Sequence, residues 1–263
     1  MRKYLVIGNP IEHSLSPKLH NYWIKKNKID AIYEKQKLNE NQLGNLILKI
    51  KEKKIDGINV TAPFKKSVIP FLDELSLEAE STQSVNTIYL NDNKIIGHNT
   101  DIDGFKLGIK NLKFETKDIK VLILGAGGVV PSIIYALNKI KVFKITISNR
   151  TKKKAENLKD LFENLKVVEW GHVPDFDMII NATSIGLKKK DLINLDLSSV
   201  GKNKFFYDVI YKPSETNFLK CGKKLGNMTE NGKLMFIYQA FSAFKIWHKI
   251  EPIIDQQVIK FLD

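Results

Sequence analysis

The sequence has few of the residues that cross-link a small protein or bind a metal. Cys221 is the one cysteine among 263 residues, so neither an internal disulfide nor a cysteine-rich zinc site can form. The five histidines contain no His-x-x-x-His pair, and we expect no metal. No apolar run approaches the roughly 18 residues of a membrane helix, and the N-terminal one is too short for a signal peptide. These absences predict a soluble, cytoplasmic protein.

Arginine is almost missing, since only Arg2 and Arg150 occur among 42 basic residues. With 29 acidic residues the net charge is +13, a balance that invites a nucleic-acid or membrane hypothesis. The excess is carried by scattered lysines, without a recognition motif or a basic face interleaved with aromatics. We therefore expect a solvated lysine surface that attracts anionic small molecules, and neither a nucleic-acid nor a membrane partner.

The composition and patterning indicate two α/β domains. The length of 263 residues allows one large or two modest domains, and 43% hydrophobic and 27% charged residues are ordinary proportions for a globular protein. The first hundred residues follow the order β-α-β-α-β, typical of an α/β domain, and a second such unit begins after Asp101. Because no flexible linker separates the units, we expect structured helices to join them and a cleft to lie between them.

Hydrophobic periodicity and turn residues predict the individual elements. In the first unit these are strands at 4–7, 31–38 and 55–60, helices at 17–26 with Ser16 as N-cap, 42–54 and 65–75, and a hairpin of 85–90 with 94–97. In the second they are strands at 120–124, 144–148, 178–182 and 205–209, and helices ending at about 139 and spanning 152–165, 231–247 and 252–262.

A glycine-rich turn follows the first strand of the second unit, with the sequence Gly125-Ala126-Gly127-Gly128. Gly125 permits a tight turn, Gly127 lets the backbone approach a pyrophosphate, and the helix N-terminus supplies free N–H groups. Strand, glycine turn, helix and strand are typical of a dinucleotide-binding unit; a merely structural turn is the alternative. Val130 stands where a third glycine or an alanine is usual.

The end of the next strand distinguishes NAD from NADP. An acidic residue there binds the ribose 2′-hydroxyl of NAD, whereas an arginine accommodates the 2′-phosphate of NADP. This strand ends in Ser148-Asn149-Arg150-Thr151-Lys152, without an acid. A planar guanidinium suits a phosphate better than a lysine does. Arg150 therefore favours NADP, although it could instead cap a surface turn.

Polar side chains also follow strand ends in the first unit. Ser14 and Ser16 lie before a helix, Thr61 and Lys65 follow a strand, and further hydroxyls, amides and a carboxylate occur in Asn86-Thr87 and Asn99-Thr100-Asp101. On the long helix, Gln239 belongs to a polar stripe beside the apolar one. Each residue taken alone could have an ordinary structural role instead, such as a helix N-cap or a solvated surface lysine. Together they indicate a polar substrate site.

Nine motifs in series resemble those of the shikimate dehydrogenase family. They occur in the family's order, with similar spacing, over nearly the whole chain. The motifs are Gly8-Asn9-Pro10-Ile11 with His13-Ser14-x-Ser16-Pro17, Asn59-Val60-Thr61-x-Pro63-x-Lys65, Val85-Asn86-Thr87, Asn99-Thr100-Asp101-x-x-Gly104, Gly125-Ala126-Gly127-Gly128, Asn149-Arg150-Thr151, Asn181-Ala182-Thr183-Ser184-x-Gly186, Asp208-x-x-Tyr211-x-Pro213, and Asn231-Gly232-x-x-Met235 with Gln239.

The resemblance implies an enzyme that reduces 3-dehydroshikimate to shikimate with NADPH on the route to aromatic amino acids. It implies a substrate-binding, catalytic domain at 1–101 plus about 236–263, and a Rossmann-like NADP domain at 102–235. Lys65, as proton donor or acceptor, and Asp101 would be the catalytic pair. Substrate contacts would come from Ser14, Ser16, Thr61, Asn86, Tyr211 and Gln239. Cofactor contacts would come from Gly125, Ala126, Gly127, Gly128, Val129, Asn149, Arg150, Thr151, Lys152, Thr183, Ile210 and Gly232.

The chain departs from the family's pattern at Val129-Val130, where small residues are usual, and at Leu187, where methionine is common. Two alternatives remain: a quinate/shikimate dehydrogenase of broader substrate and NAD(P) use, and a non-catalytic relative that binds the metabolite. The paired serines and the lack of an acid beside Arg150 favour the strict NADP enzyme. The presence of both Lys65 and Asp101 disfavours the non-catalytic relative. We expect a monomer or homodimer.

Overall fold

The computed structural model describes residues 1–112, 114–188 and 190–262; Asp263, the last residue of the expected substrate domain, lies outside them. The chain forms two compact units, Met1–Gly104 with Ile237–Asp263, and Phe105–Phe236. Each unit contains a six-stranded sheet, so the predicted α/β class is confirmed. Within the described ranges, no helix combines the length and the apolar character of a membrane span.

The first sheet is mixed. Its strands are β1 (Arg2–Gly8), β2 (Ala31–Lys37), β3 (Gly57–Val60), β4 (Glu74–Leu75), β5 (Thr87–Asn91) and β6 (Lys94–His98), in the order β2-β1-β3-β5-β6-β4. Strands β2, β1 and β3 run parallel, whereas β5 pairs antiparallel with β3 and β6. The predicted hairpin is confirmed as β5 and β6. Its turn residues Asp92 and Asn93 have φ of 48° and 60°, as a two-residue hairpin turn requires.

The second sheet is entirely parallel. Its strands are β7 (Lys120–Leu124), β8 (Lys144–Ser148), β9 (Leu165–Val168), β10 (Met178–Asn181), β11 (Phe205–Asp208) and β12 (Met228–Glu230). They lie in the order β12-β11-β10-β7-β8-β9. The chain winds outward from β7 to β9 and then crosses to β10 on the other side. Ligands bind at such a switch point, outside the carboxyl ends of the strands.

Helices flank these strands in the sequence. They are α1 (Ser16–Lys26), α2 (Leu43–Lys51), α3 (Leu77–Thr82), α4 (Asp101–Lys110), α5 (Val130–Lys139), α6 (Lys152–Glu156), α7 (Asn217–Lys224), α8 (Lys233–His248) and α9 (Gln256–Phe261). Side chains cap the starts of α3 and α9: Ser76 Oγ accepts from the Ala79 N–H at 3.2 Å, and Asp255 Oδ1 accepts from the Val258 N–H at 2.9 Å. These bonds satisfy N–H groups that the helix leaves unpaired.

Two helix predictions in the first unit are wrong. Leu15, not Ser16, is the N-cap of α1, and Ser16 is buried as the first helical residue. The segment 65–75 contains only a 3₁₀ turn at Ile69–Phe71, followed by β4. A helix through this segment would need an N–H at Pro70, which proline lacks.

Three helices of the predicted set are shorter than expected, the first being α2, which ends at Lys51 rather than 54. Helix α6 ends at Glu156 and is followed by a 3₁₀ turn at Asn157–Asp160, and Leu165, the predicted helix end, begins a strand that pairs with β8. The two adjacent valines of this segment favour an extended backbone. The last helix begins at Gln256 rather than 252, where Asp255 supplies the cap.

An aromatic cluster that includes two histidines fills part of the core of the first unit. The His20 ring stacks on Tyr33, with centroids 4.2 Å apart and planes at 5°, and Phe244 packs against His248. None of the four ring nitrogens has a hydrogen-bond partner among the described residues. Burial lowers the pKa of His20 to about 3 and that of His248 to about 4. Both rings are therefore neutral in the folded protein at neutral pH.

We expect the free energy of unfolding to fall as pH drops from about 6.5 towards 4. The unfolded chain protonates histidine near pH 6.5 while the folded protein does not, so the unfolded state binds more protons in this window. Each buried histidine then contributes a slope of up to about 1.4 kcal/mol per pH unit. Substituting His20→Phe should flatten the slope, whereas His172→Phe at an exposed site should not. Urea titrations at pH 7 and pH 5 measure this, and identical slopes for wild type and His20→Phe would contradict it.

Candidate active site

Lys65 and Asp101 form an ion pair in the first unit. Lys65 lies in the turn after β3, and Asp101 is the first residue of α4. The Lys65 Nζ donates to Asp101 Oδ2. The two side chains are 14% and 9% exposed, so solvent screens their attraction less than it would on the surface. The pair thus places an amine and a carboxylate in direct contact, with both side chains largely buried.

The buried amide of Asn86 fixes the other side of the carboxylate. Its Nδ2 donates to Asp101 Oδ1 and to Thr100 Oγ1, each at 2.9 Å. Its Oδ1 accepts from the Thr100 N–H at 2.7 Å. Gln239 of α8 joins the group, with its Oε1 3.4 Å from the same Nδ2. Because each Asp101 oxygen has its own donor, the orientation of the carboxylate is fixed.

Asn59 and Tyr33 support Asn86 from behind. Asn59, within β3, donates from Nδ2 to the Asn86 carbonyl and to Thr87 Oγ1, each at 3.0 Å. The Tyr33 hydroxyl donates to Asn59 Oδ1 at 2.6 Å. Burial raises the pKa of the Tyr33 phenol, so it remains a donor. Neither residue was assigned a role in the site from the sequence; the signals for Asn59 were its place at the start of a family motif and an amide inside an apolar strand, and Tyr33 had none.

The remaining predicted substrate residues of this unit lie near the carboxyl ends of β1 and β3. The Ser14 Oγ accepts from the Ser16 N–H at 3.3 Å, and the Ser16 side chain adjoins the Tyr33 phenol, whose pKa it lowers against the larger effect of burial. Thr61 follows β3, and a Cβ built on Gly8 would lie 2.5 Å from its Cγ2. Glycine at the end of β1 therefore allows Thr61 its position. Ser16 thus adjoins Tyr33, whose hydroxyl is hydrogen-bonded through Asn59 to Asn86 and the ion pair.

The second unit holds the predicted glycine turn, directly after β7. Gly125 has φ of +108°, and a Cβ there would lie 2.8 Å from the Ala182 carbonyl oxygen, so only glycine fits. At Gly127 the nearest atom to a built Cβ is 4.0 Å away, which leaves the turn open on that side. Helix α5 has no side-chain cap. The positive end of this helix therefore faces an open turn, as a pyrophosphate requires.

Arg150 lies at the end of β8 with an exposed side chain that makes no ion pair or hydrogen bond with any described residue. The turn is fixed by Asn149, whose Nδ2 donates to the Thr151 carbonyl at 2.8 Å. Lys152 pairs instead with Glu169, whose carboxylate raises the pKa of the ammonium. Sequence reasoning missed Glu169, because only the pairing of β9 with β8 brings it here. An unpaired guanidinium beside the glycine turn suits a phosphate group.

Thr183, Ile210 and Gly232 lie beyond the carboxyl ends of β10, β11 and β12. A Cβ built on Gly125 would lie 3.0 Å from Thr183 Cγ2, so Thr183 adjoins the glycine turn. The Ile210 carbonyl accepts from the Gly232 N–H at 3.2 Å. All three thus lie along the same edge as the turn. Tyr211, predicted to bind substrate, also belongs to this unit and stacks on Phe236 with ring centroids 4.7 Å apart.

Two family models match the chain. "Shikimate dehydrogenase substrate binding domain" matches residues 6–88, and "Shikimate / quinate 5-dehydrogenase" matches residues 107–208. The NADP(+) shikimate dehydrogenase of Pelagibacter ubique (strain HTCC1062) is 62% identical over 262 residues, which cover 100% of this chain and 99% of the relative. The chain belongs to the shikimate dehydrogenase family.

Solved structures of shikimate dehydrogenases share this fold. The crystal structure of the enzyme from Aquifex aeolicus has 37% identity and a TM-score of 0.90, covering 99% of this chain and 96% of its own. The enzyme from Thermus thermophilus, solved with NADP(H) and shikimate, has 28% identity and a TM-score of 0.89, covering 99% and 97%. The family and fold predicted from the motifs are therefore confirmed.

This shikimate dehydrogenase family member accommodates both of its departures from the usual pattern. Val130 is fully buried, and its N–H donates to the Gly127 carbonyl at 3.0 Å, so its side chain packs into the core away from the open turn. Leu187 is exposed and lines a pocket of about 420 Å³ with Ser184 and Leu192. In the described part of the chain, no cluster of three or more histidine, cysteine or acidic residues could bind a metal.

Proposed function

We propose that this family member reversibly reduces 3-dehydroshikimate to shikimate with NADPH in the biosynthesis of chorismate and the aromatic amino acids. The observation that carries the proposal is the Lys65–Asp101 ion pair, held in place by Asn86. The 62% identity to an NADP(+) shikimate dehydrogenase supports the same activity. The first unit is the proposed substrate domain, 1–101 with about 236–263, and the second is the proposed NADP domain, 102–235.

The proposed chemistry uses Lys65 as the proton carrier. Bound NADPH supplies a hydride to the ketone carbon of the substrate. The ketone oxygen then gains negative charge and needs a proton from a donor within about 3 Å. Lys65 Nζ gives that proton, and Asp101 Oδ2 holds the ammonium in place. In the reverse direction Lys65 takes the proton from the hydroxyl of shikimate.

The substrate carries a carboxylate and several hydroxyls, which match the polar groups of the site. We assign these contacts to the side chains predicted above, with Asp101 and Asn86 nearest the reacting group. The hydroxyls and amides that would bind the rest of the molecule are Ser14, Ser16, Thr61, Gln239 and Tyr211. Hydrogen-bonding side chains of this kind reject analogues that lack a hydroxyl, because the side chains would then remain unpaired.

The second unit fits NADP. We propose that the turn Gly125–Val129 holds the pyrophosphate and that the segment Asn149–Lys152 holds the 2′-phosphate, mainly through Arg150. The open glycine turn and the unpaired guanidinium support this assignment. Thr183, Ile210 and Gly232 would contact the other half of the cofactor.

The direct test is NADPH oxidation by the purified protein with 3-dehydroshikimate and, in parallel, 3-dehydroquinate. We expect turnover with 3-dehydroshikimate and little with 3-dehydroquinate, because the paired serines Ser14 and Ser16 favour the strict shikimate enzyme. Comparable rates with both would support the quinate/shikimate alternative. Absence of turnover by a protein that still binds NADPH would support the non-catalytic one.

Replacing Lys65 should affect the chemical step. Lys65→Ala removes the proton donor, so we expect kcat to fall by roughly 10²- to 10⁴-fold, the usual contribution of a positioned acid or base. The KM for 3-dehydroshikimate should change much less. Lys66→Ala, which removes the exposed neighbouring lysine, is the matched control and should keep wild-type kcat. An unchanged kcat for Lys65→Ala would remove this residue from the mechanism.

Replacing Arg150 should affect NADPH alone, since NADH lacks the 2′-phosphate. A hydrogen bond to a charged group contributes about 1.5–3 kcal/mol, or roughly 10- to 150-fold in affinity. We expect Arg150→Ala to weaken NADPH by about this factor and to leave NADH nearly unchanged. Lys153→Ala, at an exposed position directly after this segment, controls for the loss of one positive charge. If Arg150→Ala weakened the binding of both cofactors equally, Arg150 would have only a structural role.

A further inference from the structure

Asp208 is a buried carboxylate that the proposed chemistry does not use. It ends β11 and has no exposed surface. Its Oδ1 accepts from Asn181 Nδ2 at 3.1 Å and from the Ile210 N–H at 3.0 Å, and its Oδ2 accepts from Thr216 Oγ1 at 2.6 Å. Burial raises the pKa of this carboxyl, and the three hydrogen bonds act in the opposite direction. A carboxylate is costly to bury, so Asp208 depends on these donors.

Asn181 extends the hydrogen bonding of Asp208 to Thr183. It ends β10, the strand beside β11. Its Oδ1 accepts from the Thr183 N–H at 3.1 Å and from Thr183 Oγ1 at 2.7 Å, while its Nδ2 also donates to the Ile185 carbonyl at 3.0 Å. The loop after β10 therefore folds around the Asn181 side chain, and Asp208 sets the orientation of that side chain.

Ile210 extends the same network to Gly232. Asp208 holds the N–H of Ile210, and the carbonyl of Ile210 accepts from the Gly232 N–H. A Cβ on Gly232 would lie 2.1 Å from the Val209 carbonyl oxygen, so the two segments are in direct contact. Thr183, Ile210 and Gly232, the three cofactor residues predicted on this side of the sheet, are thus connected through Asp208.

The Arg150 segment lies outside this network. It follows β8, which the sheet order places on one side of β7, whereas β10 and β11 lie on the other. A dinucleotide spans such a switch point with one half on each side. Its adenosine half belongs with the 2′-phosphate at Arg150. Its nicotinamide half then belongs with the segments that Asp208 holds.

We propose that Asp208 and Asn181 are positioning residues that shape the surface for the nicotinamide half of the cofactor, independently of the adenosine half. This inference rests on the proposed binding of NADP. Asp208 touches neither ligand in this scheme. Its carboxylate accepts one hydrogen bond each from Asn181, Ile210 and Thr216. Without the carboxylate these buried donors would be unpaired.

Calorimetric titration with two ligands tests the proposal. NADP⁺ contacts both halves of the site, whereas adenosine 2′,5′-bisphosphate reports on the Arg150 segment and the glycine turn and lacks the nicotinamide half. Asp208→Asn keeps the shape and one acceptor oxygen, so we expect NADP⁺ to bind about 10-fold more weakly, and Asp208→Ala, with no acceptor, to lose more. The bisphosphate should bind both variants within about twofold of wild type. The KM for NADPH should rise more than that for 3-dehydroshikimate, because all the proposed substrate contacts except Tyr211 lie in the first unit.

Asp196→Asn is the matched control. This exposed carboxylate of the same unit also accepts from a backbone N–H and a hydroxyl, both of Ser198, and its loss should change neither titration. Equal weakening of both ligands by Asp208→Asn would mean that Asp208 only stabilises the unit, and unchanged NADP⁺ binding would mean that it has no positioning role. Either result overturns the inference while leaving the proposed function intact. A wild-type protein that fails to bind NADP⁺ would overturn both.

Discussion

The buried amide side chain of Asn86, which must make its hydrogen bonds away from water, holds the proposed catalytic pair of the first unit. Asn86 is 3% exposed, and its side chain engages Thr87, Thr100 and Asp101. Moving the Asp101 carboxylate would leave a buried donor unpaired, at a cost of about 1–3 kcal/mol. The geometry of the Lys65 ion pair therefore follows from hydrogen-bond satisfaction in the core.

The second unit uses the same device at the ends of its apolar strands. Strands β10 and β11 are buried along their whole length, and each ends in a polar residue, Asn181 or Asp208. An apolar strand sets where such a residue lies, and burial requires that its polar atoms be paired. The segments that follow are held by these side chains, since Asn181 accepts from the Thr183 N–H and Asp208 accepts from the Ile210 N–H.

Sequence patterns were sufficient for features that depend on neighbouring residues. The apolar strands, the glycine turn and the hairpin at Asp92 and Asn93 each have local signals, and the family motifs point to Lys65 and Asp101. The patterns failed where a single residue or a tertiary pairing decides the outcome: Pro70 ends a helical pattern, and β9 becomes a strand by pairing with β8. Tyr33 and Asn59 are 26 residues apart, so no local pattern could reveal their hydrogen bond.

Because arginine is scarce, the residues that attract anionic cofactors differ from the residue proposed to discriminate NADPH from NADH. A net charge of +13 draws every anion, but NADPH and NADH are both anionic, and scattered lysines distinguish them weakly. Lys152, next to the proposed phosphate site, already shares its charge with Glu169. Discrimination of a 2′-phosphate needs directional donors, which a guanidinium has in a planar array and an ammonium lacks. Within the described residues of the second unit, Arg150 alone offers that array, and it does so from a turn fixed by Asn149. In the proposed enzyme, the lysine surface raises the local concentration of both cofactors, and the Arg150 side chain gives the preference for NADPH.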